Sequence, residues 1–252
     1  MDRSINEKLD TFSIEIIDYL INMEGISLKE LLEEEETMNR FITSRTNCFN
    51  CNDMRVGGAN AMKWFGNFIS AHLYLLSIEN KWIHYHDVSI KEKGKGAAIL
   101  LLQPHLEEVP ERGKEAFVKS KLSDLFTFLL PLVQEVAKAS KLSLQQTWGL
   151  VANSYYNHLY QWLETSKDKE KIECDVKQLR TLDSTLFGLK RNPFDVSFRY
   201  VDSWWEPVEL VRVKPACCMS YLKAEGHYCF SCPKLTNEER FERGEKLRAE
   251  NT

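Results

Sequence analysis

No stretch of this sequence suits a bilayer. The longest apolar run, Ala61 to Ile78, carries Lys63, Asn67 and His72 through its middle, each costly to a membrane-crossing helix, so the run reads as a buried helix. Any membrane contact is then expected to be peripheral. Positive charge is also in short supply: 33 Lys and Arg against 37 Asp and Glu leave a formal charge of −4, which provides no field to gather nucleic acid. The first ten residues, MDRSINEKLD, hold acids and no apolar leader segment, so the expected location is the cytoplasm. A dinucleotide loop is missing as well. The nearest echo, Gly94 to Ala98, lacks a third glycine and precedes an apolar run rather than a helix, and no nicotinamide, flavin or nucleotide site is expected. There is no internal repeat and no low-complexity tract. With 43% hydrophobic and 28% charged residues, the chain has the balance of an ordinary globular protein.

The apolar residues that are present fall largely at helical spacing. Ile5, Leu9, Phe12, Ile16, Leu20 and Met23 recur every three or four positions and predict one amphipathic helix, stopped by Gly25. Ser27 to Glu30 is a capping box for the next helix, with Ile26 and Leu31 placed as a hydrophobic staple, and Glu33 to Glu36 reads as its solvated face. Thr43 to Gly58 is polar and irregular and predicts a loop carrying Cys48 and Cys51, followed by a helix from Ala59 to Ile78. Trp82 to Val88 alternates with period two, and Ala97 to Leu102 is a second strand; the KEKGKG turn between them makes a β-hairpin. Leu122 to Ala139 is helical, with Pro131 expected to kink it or start a new helix. Ser143 to Gln146 is a second capping box, opening a helix with Trp148, Val151, Tyr155, Leu159 and Trp162 on one side. A charged connector leads to a short helix over Val176 to Phe187; Phe194 to Tyr200 and Val208 to Val213 read as strands; Thr236 to Glu239 caps a final charged helix. The expected fold class is α+β: a mainly helical body over 1–205 with a β-hairpin and minor strands, and a small cysteine-rich unit over 206–252.

That unit holds four of the seven cysteines: Cys217 and Cys218 adjacent, then Cys229 and Cys232 as a C-x-x-C pair. In a reducing compartment clustered cysteines point to metal or redox chemistry rather than to disulfides. The C-x-x-C spacing lets two thiolates reach one metal from a tight turn. The adjacent pair is awkward for zinc, because neighbouring side chains project to opposite sides and both reach one tetrahedral ion only with a contorted backbone. A two-iron cluster relaxes that demand, since its four terminal sulfur positions are spread over two irons. Structural zinc remains the alternative, and burial as small apolar residues the plain one; the polar neighbours Lys214, Ser220, Lys223, Glu225, His227, Ser231 and Lys234 speak against burial alone.

The arrangement C-C-x10-C-x2-C near the end of a chain of this length resembles the signature of the FhuF-like ferric-siderophore reductases. Cys217, Cys218, Cys229 and Cys232 fill all four positions, with Arg212 and Lys214 ahead, Tyr221 between and Pro233 after. The resemblance covers about twenty residues. It implies a [2Fe–2S] cluster on those four cysteines, a siderophore-binding region in 1–205, and one-electron reduction of Fe(III) held by a siderophore, hydroxamate type first, to release Fe(II). Hard oxygen donors bind Fe(III) far better than Fe(II), so reduction loosens the complex. Electrons would come from an external ferredoxin or flavoprotein reductase. Arg212, Lys214 and Lys223 would ease the addition of an electron to an anionic four-thiolate cluster. The rival readings are a binding or scaffold protein with a C-terminal zinc knuckle, and an iron–sulfur electron carrier or redox sensor without a substrate of its own.

Other groups carry weaker signals. Cys48 and Cys51 form a second C-x-x-C outside the signature, structural or incidental in reading, although with Cys229 and Cys232 they would make a zinc ligand set. His84 and His86 on a strand could hold a metal with Asp87 or His105, and His227 could hydrogen-bond a cluster sulfur. Trp204 and Trp205 could stack on a ligand. Arg45, Arg55, Arg191 and Arg199 are available to anionic substrate oxygens, and nothing in the sequence ranks them, so no substrate contact is assigned.

Overall fold

The computed structural model describes residues 3–18 and 25–251. Ile5 and Leu9 bury one face of α1 (Arg3–Thr11), but the predicted long helix stops there: Ile14–Ile17 is strand β1, parallel to a later strand at Ile99–Leu102. Its isoleucines are β-branched and favour the pleated surface, and a partner strand outweighs their helical spacing. Leu20 and Met23 lie outside the described residues. After β2 (Ile26–Ser27), the capping box forms as expected: the Ser27 hydroxyl accepts from the Glu30 N–H while the Glu30 carboxylate accepts from the Ser27 N–H, opening α2 (Leu28–Glu33). Glu33 to Glu36 are exposed, with a break at Glu34 before α3 (Glu35–Asn47).

The expected loop over Thr43 to Gly58 shrinks to 48–53. Asp53 caps α4 (Met54–Ser77) by accepting from the Arg55 N–H, and Gly57 and Gly58 are helical. They are small because neighbours press on them: a Cβ at Gly57 would collide with the Ile42 carbonyl and Thr46 hydroxyl of α3, and one at Gly58 with Ser140. These glycines allow close helix packing rather than turns.

The predicted hairpin forms in part: β4 (Asp87–Lys93) pairs antiparallel with β5 (Gly96–Leu102) across a turn shorter than expected, but the single strand read over Trp82 to Val88 is broken at 85–86, and its first part, β3 (Lys81–His84), pairs in a separate sheet with β6 (His105–Glu108). The larger sheet has the order β1-β5-β4-β2. α5 (Lys114–Ser140) runs unbroken through Pro131, which sits on its exposed side, so no second helix begins there. α6 (Leu144–Thr165) buries Trp148, Val151, Tyr155, Leu159 and Trp162 as read. Ser143 caps it by accepting from the Gln146 N–H, but Gln146 does not complete a box; its side-chain amide donates to the Cys217 carbonyl at 3.1 Å. α7 (Lys169–Arg180) starts earlier than expected and is followed by a 3-10 turn at Ser184–Phe187. β8 (Leu210–Arg212) lies within its predicted strand, but the strand expected over Phe194 to Tyr200 does not form: 194–199 are irregular and β7 is Tyr200–Asp202, sharing only Tyr200 with it. β7 and β8 pair antiparallel, so the 205/206 division falls inside their connection. α8 (Asn237–Glu250) carries the complete capping box of Thr236 and Glu239. Among the described residues, no helix is long and apolar enough to cross a membrane.

The interior of α4 holds a titratable group. His72 is 1% exposed, ringed by Phe68, Trp82 and Tyr85 at centroid distances of 4.5, 5.3 and 5.7 Å, with Nδ1 2.9 Å from the Phe68 carbonyl oxygen. Burial lowers its pKa from 6.5 to about 4. The unfolded chain therefore binds a proton that the folded one refuses as pH falls from 6.5 to 4, and the fold weakens across that window by about 3 kcal/mol before this effect levels off. Urea midpoints measured across that range should fall, and less steeply in His72→Phe; equal slopes in the two proteins would reject the assignment.

Candidate functional site

β8 leads through Val213 to Ala216 into the cysteine block, which leans on the start of α6. Gly149 makes the approach close enough: a Cβ there would lie 2.8 Å from the Ala216 Cβ, tighter than packed side chains tolerate. Together with the Gln146 bond to the Cys217 carbonyl, this fixes the first cysteine pair against the helix. The second is held by a turn in which the Cys232 N–H donates to the Cys229 carbonyl at 2.9 Å and the Lys214 N–H to Ser231. Buried Arg240 of α8 donates to the carbonyls of Phe230, Cys232 and Leu235 and so braces the same turn. The first pair's supports come from α6, about seventy residues away in sequence, whereas the second pair's turn is held largely from within residues 214–240.

The four signature thiols are brought together, in twos. Cys217 and Cys232 are 5% and 1% exposed, with sulfurs 3.6 Å apart. Cys218 and Cys229 are half-buried and act on each other electrostatically. Cys229 holds the Cys218 thiol below the ordinary range and is itself pushed up by Cys218 and by burial; burial pushes Cys217 up. Cys218 is also 3.3 Å from the Ser220 hydroxyl, and Lys214 Nζ donates to the Cys229 sulfur at 3.3 Å. Although burial disfavours its charge, Lys214 is held above the ordinary lysine range by Cys229 and Cys218.

Among the described residues, no three His, Cys, Asp or Glu side chains converge where they could hold one metal ion. The thiols nonetheless suit a two-metal group by their chemistry and pairing. Two thiolates on one tetrahedral centre with metal–sulfur bonds of about 2.3 Å lie about 3.7 Å apart, close to the Cys217–Cys232 separation, and Cys218 with Cys229 supplies a second pair. A [2Fe–2S] group takes four thiolates, two to each iron.

The remaining sequence candidates are dispersed. The Cys51 thiol donates to the Leu222 carbonyl at 3.0 Å, whereas Cys48 takes a bond from Arg45 at 2.7 Å, so this pair is divided between two neighbours. Arg45 is fully buried, ion-paired to Glu92 at 3.2 Å and stacked on Trp64, and Arg55 forks onto Asp53. Neither is free for substrate, contrary to expectation. Arg191 and Arg199 line separate hollows, neither of which has a cysteine in its lining. His84 stacks on its cross-strand partner His105 and pairs with Glu107 at 2.7 Å, rather than joining His86. His227 and Trp205 are exposed. Arg212 turns from the sulfurs to Asn153 and Asn157 of α6 and stacks on Phe198 at 4.5 Å.

Sequence reasoning missed a cavity of about 460 Å³ beside Cys218, walled by α4, α6 and the 3-10 turn Ser220–Leu222. Its size is that of a small-molecule site, and Cys218, Ser220 and Lys214 line it. Its walls come from residues 49 to 223, so no sequence window contains them. In comparisons with protein-family models, curated proteins and solved structures, the chain matches none.

Proposed function

We propose that this protein is a ferric-siderophore reductase that carries a [2Fe–2S] cluster on Cys217, Cys218, Cys229 and Cys232. The observation that supports the reading best is the thiol pairing: one pair is sealed in the core, and Cys218 of the other borders a ligand-sized cavity. A cluster bound there would supply one electron to Fe(III) in the cavity, yielding Fe(II), and would be recharged by an external ferredoxin or flavoprotein. The chain's own residues would do the rest. Lys214 places a positive charge against Cys229 and so favours the more negative state of whatever the thiolates hold. Cys217 and Cys232, packed in apolar surroundings, keep water from that side. Reduction loosens hard-oxygen ligation, and the iron leaves.

The test is anaerobic. Chemically reduced protein mixed with a ferric siderophore should deliver Fe(II) to a ferrous-specific chelator with saturable kinetics. A stoichiometric zinc content in colourless protein, or iron release no faster than with reductant alone, would overturn the proposal.

A further inference from the structure

The cavity beside Cys218 is electrically one-sided. Lys63 of α4, Lys95 in the β4–β5 turn, Lys214 after β8 and Lys223 after the 3-10 turn all line it. No carboxylate lines it among the described residues, and none of the four ion-pairs with one there. Lys63 alone among the described residues of α4 is exposed, and it opens onto this space. Lys223 is held below the ordinary lysine range by burial, an effect that Cys218 opposes and Lys95 and Lys63 reinforce; Lys63 and Lys95 thus add to a gathering of ammonium groups that no carboxylate of the lining offsets. The neutral walls also donate. The amide oxygens of Asn153 and Asn157 are engaged by Arg212, which leaves their N–H groups to offer.

The geometry points to a substrate that is a net-anionic ferric chelate, of catecholate or hydroxycarboxylate type, rather than a neutral tris-hydroxamate. This rests on the proposed reductase reading and sharpens its substrate. Converging ammonium groups repel one another at a cost that an anion removes and a neutral complex does not. Charge also makes the site selective for loaded ligand: a catecholate is ionised when it binds Fe(III), and once Fe(II) has left, its oxygens take back their protons. The freed catechol is then neutral and the lysines have nothing to retain, whereas a hydroxycarboxylate keeps its carboxylate charge, so this discharge on release belongs to the catecholate case.

Binding tests this without turnover. Redox-inert gallium(III) tris-catecholate and gallium(III) tris-hydroxamate are equilibrated with the anaerobically purified protein by dialysis, beside metal-free catechol. The trianionic complex should bind about tenfold or more tightly than the neutral one, more weakly as salt rises, and free catechol should not compete. Lys63→Gln with Lys95→Gln, positions away from the thiols, should reduce that preference about tenfold, while Lys177→Gln on exposed α7 should not. Equal affinity for the two complexes, or an unchanged preference in the double variant, overturns the inference. Zinc-loaded protein that still prefers the trianion would sink the reductase reading but not this one; brown protein that reduces only hydroxamate complexes would do the reverse.

Discussion

Protein purified without oxygen is expected to be brown, and Cys217→Ser or Cys229→Ser to abolish the colour, the iron and the EPR signal of the reduced state, whereas Cys48→Ser keeps all three. The asymmetry follows from where the sulfurs sit. Cys217 pairs with Cys232 and Cys229 with Cys218, so either substitution leaves a thiolate without its companion and a four-thiolate group without a full ligand set. A serine hydroxyl is a harder, more basic ligand and a poor substitute. Cys48 belongs to Arg45 and the hairpin turn, at a remove from both pairs. Iron content per chain and the visible spectrum decide the matter. Loss of colour in Cys48→Ser with retention in Cys217→Ser would mean that another ligand set is in use.

Trp148→Ala should destabilise the fold by about 3–5 kcal/mol, the usual result of emptying a fully buried tryptophan site. Trp148 is 0% exposed, packs edge-on to Phe187 at 5.2 Å and lies 5.9 Å from Phe126. Its Nε1–H donates to the Phe187 carbonyl at 3.0 Å, so truncation also orphans a buried acceptor, at about 1–3 kcal/mol. Trp148→Phe keeps much of the ring and loses the donor, and should fall between alanine and wild type. Since an ordinary domain is stable by about 5–15 kcal/mol, this loss is a large share of the total. Denaturant unfolding measures both; an alanine cost below about 1 kcal/mol would contradict this packing.

Signals carried within a few residues were legible. Ser27 with Glu30 and Thr236 with Glu239 form the boxes their spacing announces, and the Trp148 to Trp162 stripe faces the core. The adjacency of Cys217 and Cys218 and the C-x-x-C after them marked the thiols that the fold gathers. Failures arose where a distant partner decides. Ile14 to Ile17 fit a helical period but gain a strand at β5. Gly57 and Gly58 look like loop residues because nothing nearby in sequence shows the α3 and α5 surfaces that crowd them. Gln146 has the letters of a capping box, yet its amide finds the Cys217 carbonyl, 71 residues on. The four lysines of the cavity come from four separate places in the chain, each an unremarkable side chain in its own stretch.

Cys217, Met219, Cys232 and Leu235 belong to the same apolar cluster as the helices, and this bears on modularity. A zinc knuckle can be cut out and grafted elsewhere because its metal supplies its core. Here the sulfur-bearing turns borrow their core from α6, so residues 206–252 expressed alone would lose the surface against which Ala216 and Gln146's partner carbonyl are set. Transplanting this centre onto another scaffold would require carrying α6 along with it.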